Sequence, residues 1–252
     1  MTTSAERAEV LRALHRGPRL LVLPNAWDVA SALAFADAGF SAIATTSGGV
    51  ARSLGHADGE KMPPDGMFAA VARIASAVDV PVTADLEAGY GLSPAELAER
   101  VIATGAVGLN LEDTDHRGDG PLVDAEAQAE RLAAVKDAGR AAGVDLVLNA
   151  RVDVHVRQVG PPETRLDEAL RRGRLYRDAG ADCVYPIGVS DEPTIAAFVD
   201  GLGCPVNVFV RDGPPSTARL EELGVRRATF GSGLMRVALD RAREVAEASR
   251  LA

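Results

Sequence analysis

Three short segments place carboxylates and one arginine where a strand would run out. They are Asp85-Leu86-Glu87 ahead of Ala88-Gly89-Tyr90-Gly91, Glu112-Asp113 after the apolar run from Val107, and Arg151-Val152-Asp153 after the run from Leu146. Carboxylates two positions apart on a strand point to the same face, and a glycine turn just beyond leaves both near the strand's open end. That arrangement suits a hard, oxygen-seeking cation. A single charged residue at a strand end is explained by the avoidance of full burial. Its recurrence at successive strand ends points to a site.

The elements that must position these residues are legible as alternating patterns. Val/Ile/Leu-rich runs over Leu20–Asn25, Ser41–Ser47, Pro81–Ala88, Val107–Asp113, Leu146–Asp153, Cys183–Ile187, Pro205–Val210 and Arg227–Ser232 alternate with helical-period segments. The helices begin near Trp27, Pro64, Ser93, Asp124, Leu166, Glu192 and Ser216, with a last one from Met235 to the C-terminus. Ser93-Pro94-Ala95-Glu96 is a helix start with its cap, and Ala38-Gly39, Thr104-Gly105, Ala179-Gly180 and Leu223-Gly224 are helix stops. Continuous apolar strands imply a parallel sheet buried on both faces. Eight such βα units predict an α/β protein with a closed (β/α)8 barrel, one domain over residues 1–252.

In such a barrel Ser47, Asp85, Glu87, Glu112, Arg151 and Asn207 fall at or near the C-terminal strand ends, the rim where barrels of this kind place active sites. The longest connection, Gly48 to Pro63, is rich in glycine and proline and reads as a lid carrying Asp58.

Composition excludes several other classes of function. A formal net charge of −9 without a long Lys/Arg cluster argues against nucleic acid or an anionic membrane as partner. Residues Met1–Arg19 lack the apolar core of a signal peptide, no span approaches membrane length, and the cysteines, Cys183 and Cys204, fit a reducing compartment. The expected localisation is cytoplasmic.

Taken together, Pro24-Asn25-Ala26-Trp27-Asp28, Ser47-Gly48-Gly49, Leu54-Gly55-His56-Ala57-Asp58, Leu111-Glu112-Asp113, Ala150-Arg151-Val152-Asp153 and Phe230-Gly231-Ser232 resemble the isocitrate lyase/phosphoenolpyruvate mutase superfamily. The strongest piece is Asp85-Leu86-Glu87-Ala88-Gly89-Tyr90-Gly91, which is similar to that superfamily's D-x-D-x-G-Y-G. The resemblance implies that Asp85 ligates Mg2+ while Glu87 and Glu112 hold its waters. It implies further that Ser47 and the amides of Gly48 and Gly49 bind a substrate carboxylate, that Arg151 binds a second anionic group, and that Asp58 enters on the mobile loop. It also implies a homodimer or homotetramer that exchanges its last helix.

Two departures limit the transfer. The lyase branches carry a cysteine in a K-[KR]-C-G-H motif after the fourth strand, whereas Glu112-Asp113 is followed here by Thr114-Asp115-His116-Arg117-Gly118; the lysine and asparagine of the phosphonate-cleaving branches are missing as well. Glu87 stands where aspartate is usual, which moves the carboxylate by ~1 Å. His116 is the spare proton carrier, with His56 as its competitor.

The reading is therefore a magnesium-dependent lyase or decarboxylase that cleaves a C–C bond beside the carbonyl or hydroxyl of a small 2-oxo or 2-hydroxy carboxylate. The alternatives are a C–P hydrolase or mutase of phosphonopyruvate type and a non-catalytic metabolite-binding barrel. A Schiff-base aldolase is excluded because the lysines, Lys61 and Lys136, both lie off the strands.

Overall fold

The computed structural model describes residues 2–211 and 213–250. Its strands are β1 (Leu21–Leu23), β2 (Asn25–Ala26), β3 (Ile43–Thr45), β4 (Val82–Asp85), β5 (Gly108–Glu112), β6 (Val147–Val152), β7 (Cys183–Pro186), β8 (Asn207–Phe209) and β9 (Arg227–Thr229). Every ladder between them is parallel. The order runs β2-β3-β4-β5-β6-β7 in one sheet and β1-β9-β8 in the other. β1 and β2 are two halves of the first strand, split at Pro24, which has no N–H to donate. At the other seam β7 meets β8 in a single bridge, Val184 with Val206. Sequential parallel neighbours returning to the first strand make a (β/α)8 barrel, as expected from the alternating pattern.

The helices are α1 (Ser4–Arg16), α2 (Val29–Asp37), α3 (Ser47–Ser53), α4 (Pro64–Ser76), α5 (Pro94–Ala103), α6 (Ala125–Ala141), α7 (Arg165–Asp178), α8 (Glu192–Leu202), α9 (Thr217–Glu222) and α10 (Gly233–Ala248). α1 and α3 lie outside the expected alternation. α1, started by a Thr3/Glu6 capping box, buries Ala8, Leu11, Arg12 and His15. Its Arg12 donates to Asp182, just before β7, and to the carbonyl of Asp145, just before β6, so it covers the N-terminal ends of the strands. Lys136, almost fully buried, ties Asp145 and Asp182 together from behind.

α3 corrects the expected lid. The glycines suggested an open loop from Gly48 to Pro63, but Thr46 caps a helix through Ser53, and only residues 54–63 remain without helix or strand.

α10 runs from Gly233 to Ala248 with Ser249 as its C-cap, and the expected continuation to the last residues, 251–252, lies outside the described residues. The apolar residues of α10 are largely left exposed. Among the described residues of α10 only Met235 is buried, while Val237 is 54% exposed and Val245 50%.

His15 gives this face a pH signature. Burial and the neighbouring Arg227 guanidinium push its imidazole down to about 4. A histidine whose folded value is depressed is stabilising when neutral, so stability is held above about pH 6.5 and is lost as pH falls toward 4. The loss approaches about 3 kcal/mol, at about 1.4 kcal/mol per factor of ten in proton affinity. Urea unfolding of the protein and of His15→Gln at pH 7 and pH 4.5 should show a smaller acid loss in the variant.

Candidate active site

A cavity of about 120 Å3 opens on the C-terminal face, walled by Asn25, Thr46, Ser47, Gly48, Asp58, Asp85, Asn110, Arg151, Tyr185, Ile187, Phe209, Thr229, Gly231 and Ser232. A larger hollow of about 570 Å3 beside α1 and β1 is lined mainly by apolar groups and has Arg19 as its one charged residue, so the chemistry concentrates in the smaller one.

Register explains the convergence. Asp85 at the end of β4 pairs with Asn110 on β5, and Glu112, two residues higher on β5, pairs with Arg151 on β6. Alternation then puts Asn110 with Glu112, and Asn149 with Arg151, on shared faces. Asp85 Oδ2 accepts from both the amide and the hydroxyl of Ser47, each at 2.9 Å. Its Oδ1 has a weak contact of 3.4 Å from Asn110 Nδ2.

Ser47 and Gly48 therefore reach the cavity, but Gly49 does not. The Gly49 amide donates to the Thr46 hydroxyl at 3.3 Å, and a Cβ there would stand 2.5 Å from Thr46 Cγ2 and 3.0 Å from Trp27 Cβ. Gly49 is glycine for close packing, and its amide is spent on the helix cap. With both the amide and the hydroxyl of Ser47 turned to Asp85 and the Gly49 amide on the cap, the anion cradle that the resemblance implies for Ser47, Gly48 and Gly49 is reduced to Gly48.

Glu87 does not share a strand face with Asp85. β4 ends at Asp85, and Glu87 sits in the turn with φ +52°, a left-handed backbone. Its Oε1 accepts from the Tyr90 hydroxyl at 2.7 Å and its Oε2 from the Glu60 amide at 2.6 Å. Burial lifts its carboxyl above the ordinary value, and repulsion from Asp58 and Asp85 adds to the lift.

Glu112 is buried between Arg151 and His116. Its Oε2 lies 2.6 Å from Arg151 Nη1, and its Oε1 lies 2.8 Å from His116 Nε2. Burial pushes the Glu112 carboxyl up to about 7 against the pull of Arg151. The Glu112 hydrogen bond raises the His116 imidazole above its ordinary value in turn. His116 lies outside the cavity wall and is committed to Glu112, which makes it a partner of that acid rather than a group facing the substrate.

Arg151 is gripped by Asp153 through Nε and Nη2, both at 2.7 Å. Burial alone would lower its affinity for the proton; Glu112 and Asp153 more than offset that and hold it well above its ordinary value. Behind it, the Asp153 amide donates to Asp113, which also accepts from Tyr176 and Arg172.

Asn207 falls a layer too low. It is fully buried opposite Arg227 and accepts from the Thr229 hydroxyl, and Phe209, two residues on, takes the place at the rim. The site residues expected from the sequence did not include Asn25, Tyr185, Thr229 or Ser232, although Asn25 and Ser232 stand in pieces that carry the resemblance. Asn25 binds the Thr45 carbonyl and accepts from the amides of Phe230 and Gly231, pinning β9's end to β3's.

Among the described residues no three His, Cys, Asp or Glu side chains are close enough to hold a metal by protein atoms alone. Magnesium keeps several waters and takes one or two carboxylates. Asp85, in the wall with an oxygen scarcely used, fits such a water-rich site, whereas Glu87 and Glu112 stand behind the wall with both carboxylate oxygens engaged and could serve only the metal's waters.

Comparison with known proteins agrees with the geometry. A family model described as phosphoenolpyruvate phosphomutase matches residues 11–250. An uncharacterized protein of Mycobacterium tuberculosis (strain ATCC 25618 / H37Rv) is 37% identical over 220 residues, 87% of this chain and 80% of its own. A provisionally named phosphonomutase from Burkholderia cenocepacia J2315 superposes with TM-score 0.88 at 40% identity, covering 96% of this chain and 99% of its own. Oxaloacetate acetylhydrolase in complex with its product oxalate superposes with TM-score 0.85 at 26% identity, covering 97% of this chain and 86% of its own.

The grip on Arg151 is directly testable. Asp153→Ala removes the partner of a buried cation, and breaking a buried pair from one side costs about 3–5 kcal/mol. Denaturant unfolding should register a loss of that order, whereas a loss under about 1 kcal/mol, the scale of a surface pair, would mean that the ion pair is not buried as described.

Proposed function

The chain belongs to the phosphoenolpyruvate phosphomutase family, within the isocitrate lyase/phosphoenolpyruvate mutase superfamily, and from that premise we propose a magnesium-dependent lyase that cleaves the C–C bond beside the carbonyl of a small 2-oxo carboxylate, of oxaloacetate decarboxylase type. One observation carries the choice of substrate size. The cavity, about 120 Å3, lies below the ~300 Å3 at which common ligand pockets begin, which suits a small carboxylate.

In this reading Asp85 is the direct metal ligand, Glu87 and Glu112 hold the metal's waters, and Asp58, Ser47 and Gly48 line the substrate. Bound magnesium would neutralise charge collecting on the carbonyl oxygen as the neighbouring bond breaks. Arg151 orients one carboxylate through paired donors. His116 hydrogen-bonds Glu112 and steadies it beside Arg151. The wall contains no lysine, cysteine or histidine to protonate a leaving carbanion. Cys183 opens β7 at the opposite rim, and burial pushes the Cys204 thiol up to about 11, so neither stands in for the absent cysteine. Loss of carbon dioxide needs no such acid.

Likeness to the Burkholderia protein keeps C–P cleavage of phosphonopyruvate as the second reading. We propose in addition a homo-oligomer in which α10 crosses to a neighbouring subunit; its exposed Val237, Leu239 and Val245 support this.

A screen of oxaloacetate, phosphonopyruvate and alkylmalates for magnesium-dependent pyruvate or glyoxylate release tests the function. Oxaloacetate should be turned over and should lose activity with EDTA. Asp85→Ala should lower kcat/KM by at least ~100-fold, the scale of losing one preorganised charge-stabilising group. Turnover equal with and without magnesium would overturn the reading. For the assembly, light scattering should give a multiple of the 26.2 kDa chain mass, and a monomer at micromolar concentration would remove it.

A further inference from the structure

Residues 57–62 donate no backbone-to-backbone hydrogen bond among the described residues. Met62 anchors this segment in the core, and its polar tie over the site runs through Glu60, whose side chain is 5% exposed. The Glu60 amide donates to Glu87 Oε2 at 2.6 Å, and its Oε1 accepts from the Tyr90 amide at 2.5 Å, a reciprocal pair between two segments. Its Oε2 accepts from Arg117 Nε and Nη2 at 3.3 and 3.2 Å. The Arg117 guanidinium occupies the hollow over Gly91, where a Cβ would collide with it. One carboxylate thus joins the segments that follow β3, β4 and β5.

The backbone around this junction is strained. Glu60 (φ +58°), Glu87 (φ +52°) and Tyr90 (φ +56°) are three of the four non-glycine residues with left-handed backbone among the described residues. Such conformations cost about 1–3 kcal/mol each and persist where surrounding contacts impose them. These contacts also decide where two site acids stand. Both Glu87 oxygens are fixed at the junction, one by Glu60 and one by Tyr90, and Asp58, two residues before Glu60, lies with Oδ2 2.8 Å from where a Gly48 Cβ would be. Glu60 itself is absent from the cavity wall.

We propose that Glu60 is a positioning residue: it clasps segment 54–63 to the turn 87–91 and to Arg117, and thereby sets Asp58 and Glu87 in the site. The assignment of a role to those two acids rests on the function proposed above; the clasp itself does not. Hydrogen exchange on the full chain without ligand tests the clasp. Glu60→Ala should speed exchange in both 54–63 and 87–92 by about tenfold, the effect of losing about 1.4 kcal/mol of local stability, with the strands unchanged. Glu60→Gln, which keeps an acceptor for Tyr90, should restore most of the protection, and Arg117→Ala should loosen less. Should Glu60→Ala fail to fold, Glu60→Asp, which keeps the charge but shortens the reach, should loosen the same two segments. Unchanged exchange, or loosening of 54–63 alone, would overturn the clasp. On magnesium and oxaloacetate, Glu60→Ala should lower kcat more than it raises KM, with Glu60→Gln in between; a change in KM alone would overturn the positioning role. If the unaltered protein turns over no 2-oxo acid, the proposed function fails while the exchange result still decides the clasp.

Discussion

A guanidinium that must sit almost out of water governs this molecule's active rim. Arg151 is held by both oxygens of Asp153 and by Glu112; the Asp153 amide is in turn fixed by Asp113, which Arg172 and Tyr176 hold. In a low-dielectric interior none of these groups can lose its partner cheaply. The network demands that β5 and β6 pair with Glu112 opposite Arg151, since a slip of one residue would turn every side chain to the other face. On the other side of β5 the ladder with β4 sets Asn110, two residues before Glu112, opposite Asp85, so β5 stands between Arg151 and the carboxylate of the candidate metal site.

The opposite rim solves a different problem. α1 closes the barrel bottom with Leu11 packed against Gly108 and with Arg12 and Lys136 neutralising Asp182. Between the two rims lies Arg227, fully buried, donating to Asn110 and contacting His15. Asn110 therefore links the interior cation to Asp85, and the polar column through the barrel is continuous from the plug to the site. Stability groups gather at the N-terminal face and candidate chemistry at the C-terminal one, the usual division in such barrels.

Much of this was legible because it is local. Strand runs, caps and the turn after Asp85 declare themselves within ten residues. What escaped depends on contacts distant in sequence or on a local signal that tertiary structure overrides. Ser47-Gly48-Gly49 reads as loop from glycine's poor helix propensity, yet Thr46 caps it and Asp85 holds Ser47 in place. α1 mixes charge with apolar residues because Arg12 is paired inside, not solvated. Asn207 looked like a rim residue because its run extended to Val210, but β8 stops at Phe209 and puts Asn207 one layer down. Glu60 carried no motif; its importance lies in a backbone angle and in three partners from two other segments.

The central claim is that Arg151 binds a carboxylate of a small 2-oxo acid and that Asp85 would hold the metal that completes the site. Calorimetric titration with oxalate, with and without magnesium, tests it most directly. The account predicts that oxalate binds in the presence of magnesium, fails to bind in EDTA, and loses affinity in Arg151→Gln and Asp85→Ala alike. Equal oxalate affinity in EDTA, or unimpaired binding by both variants, would contradict it.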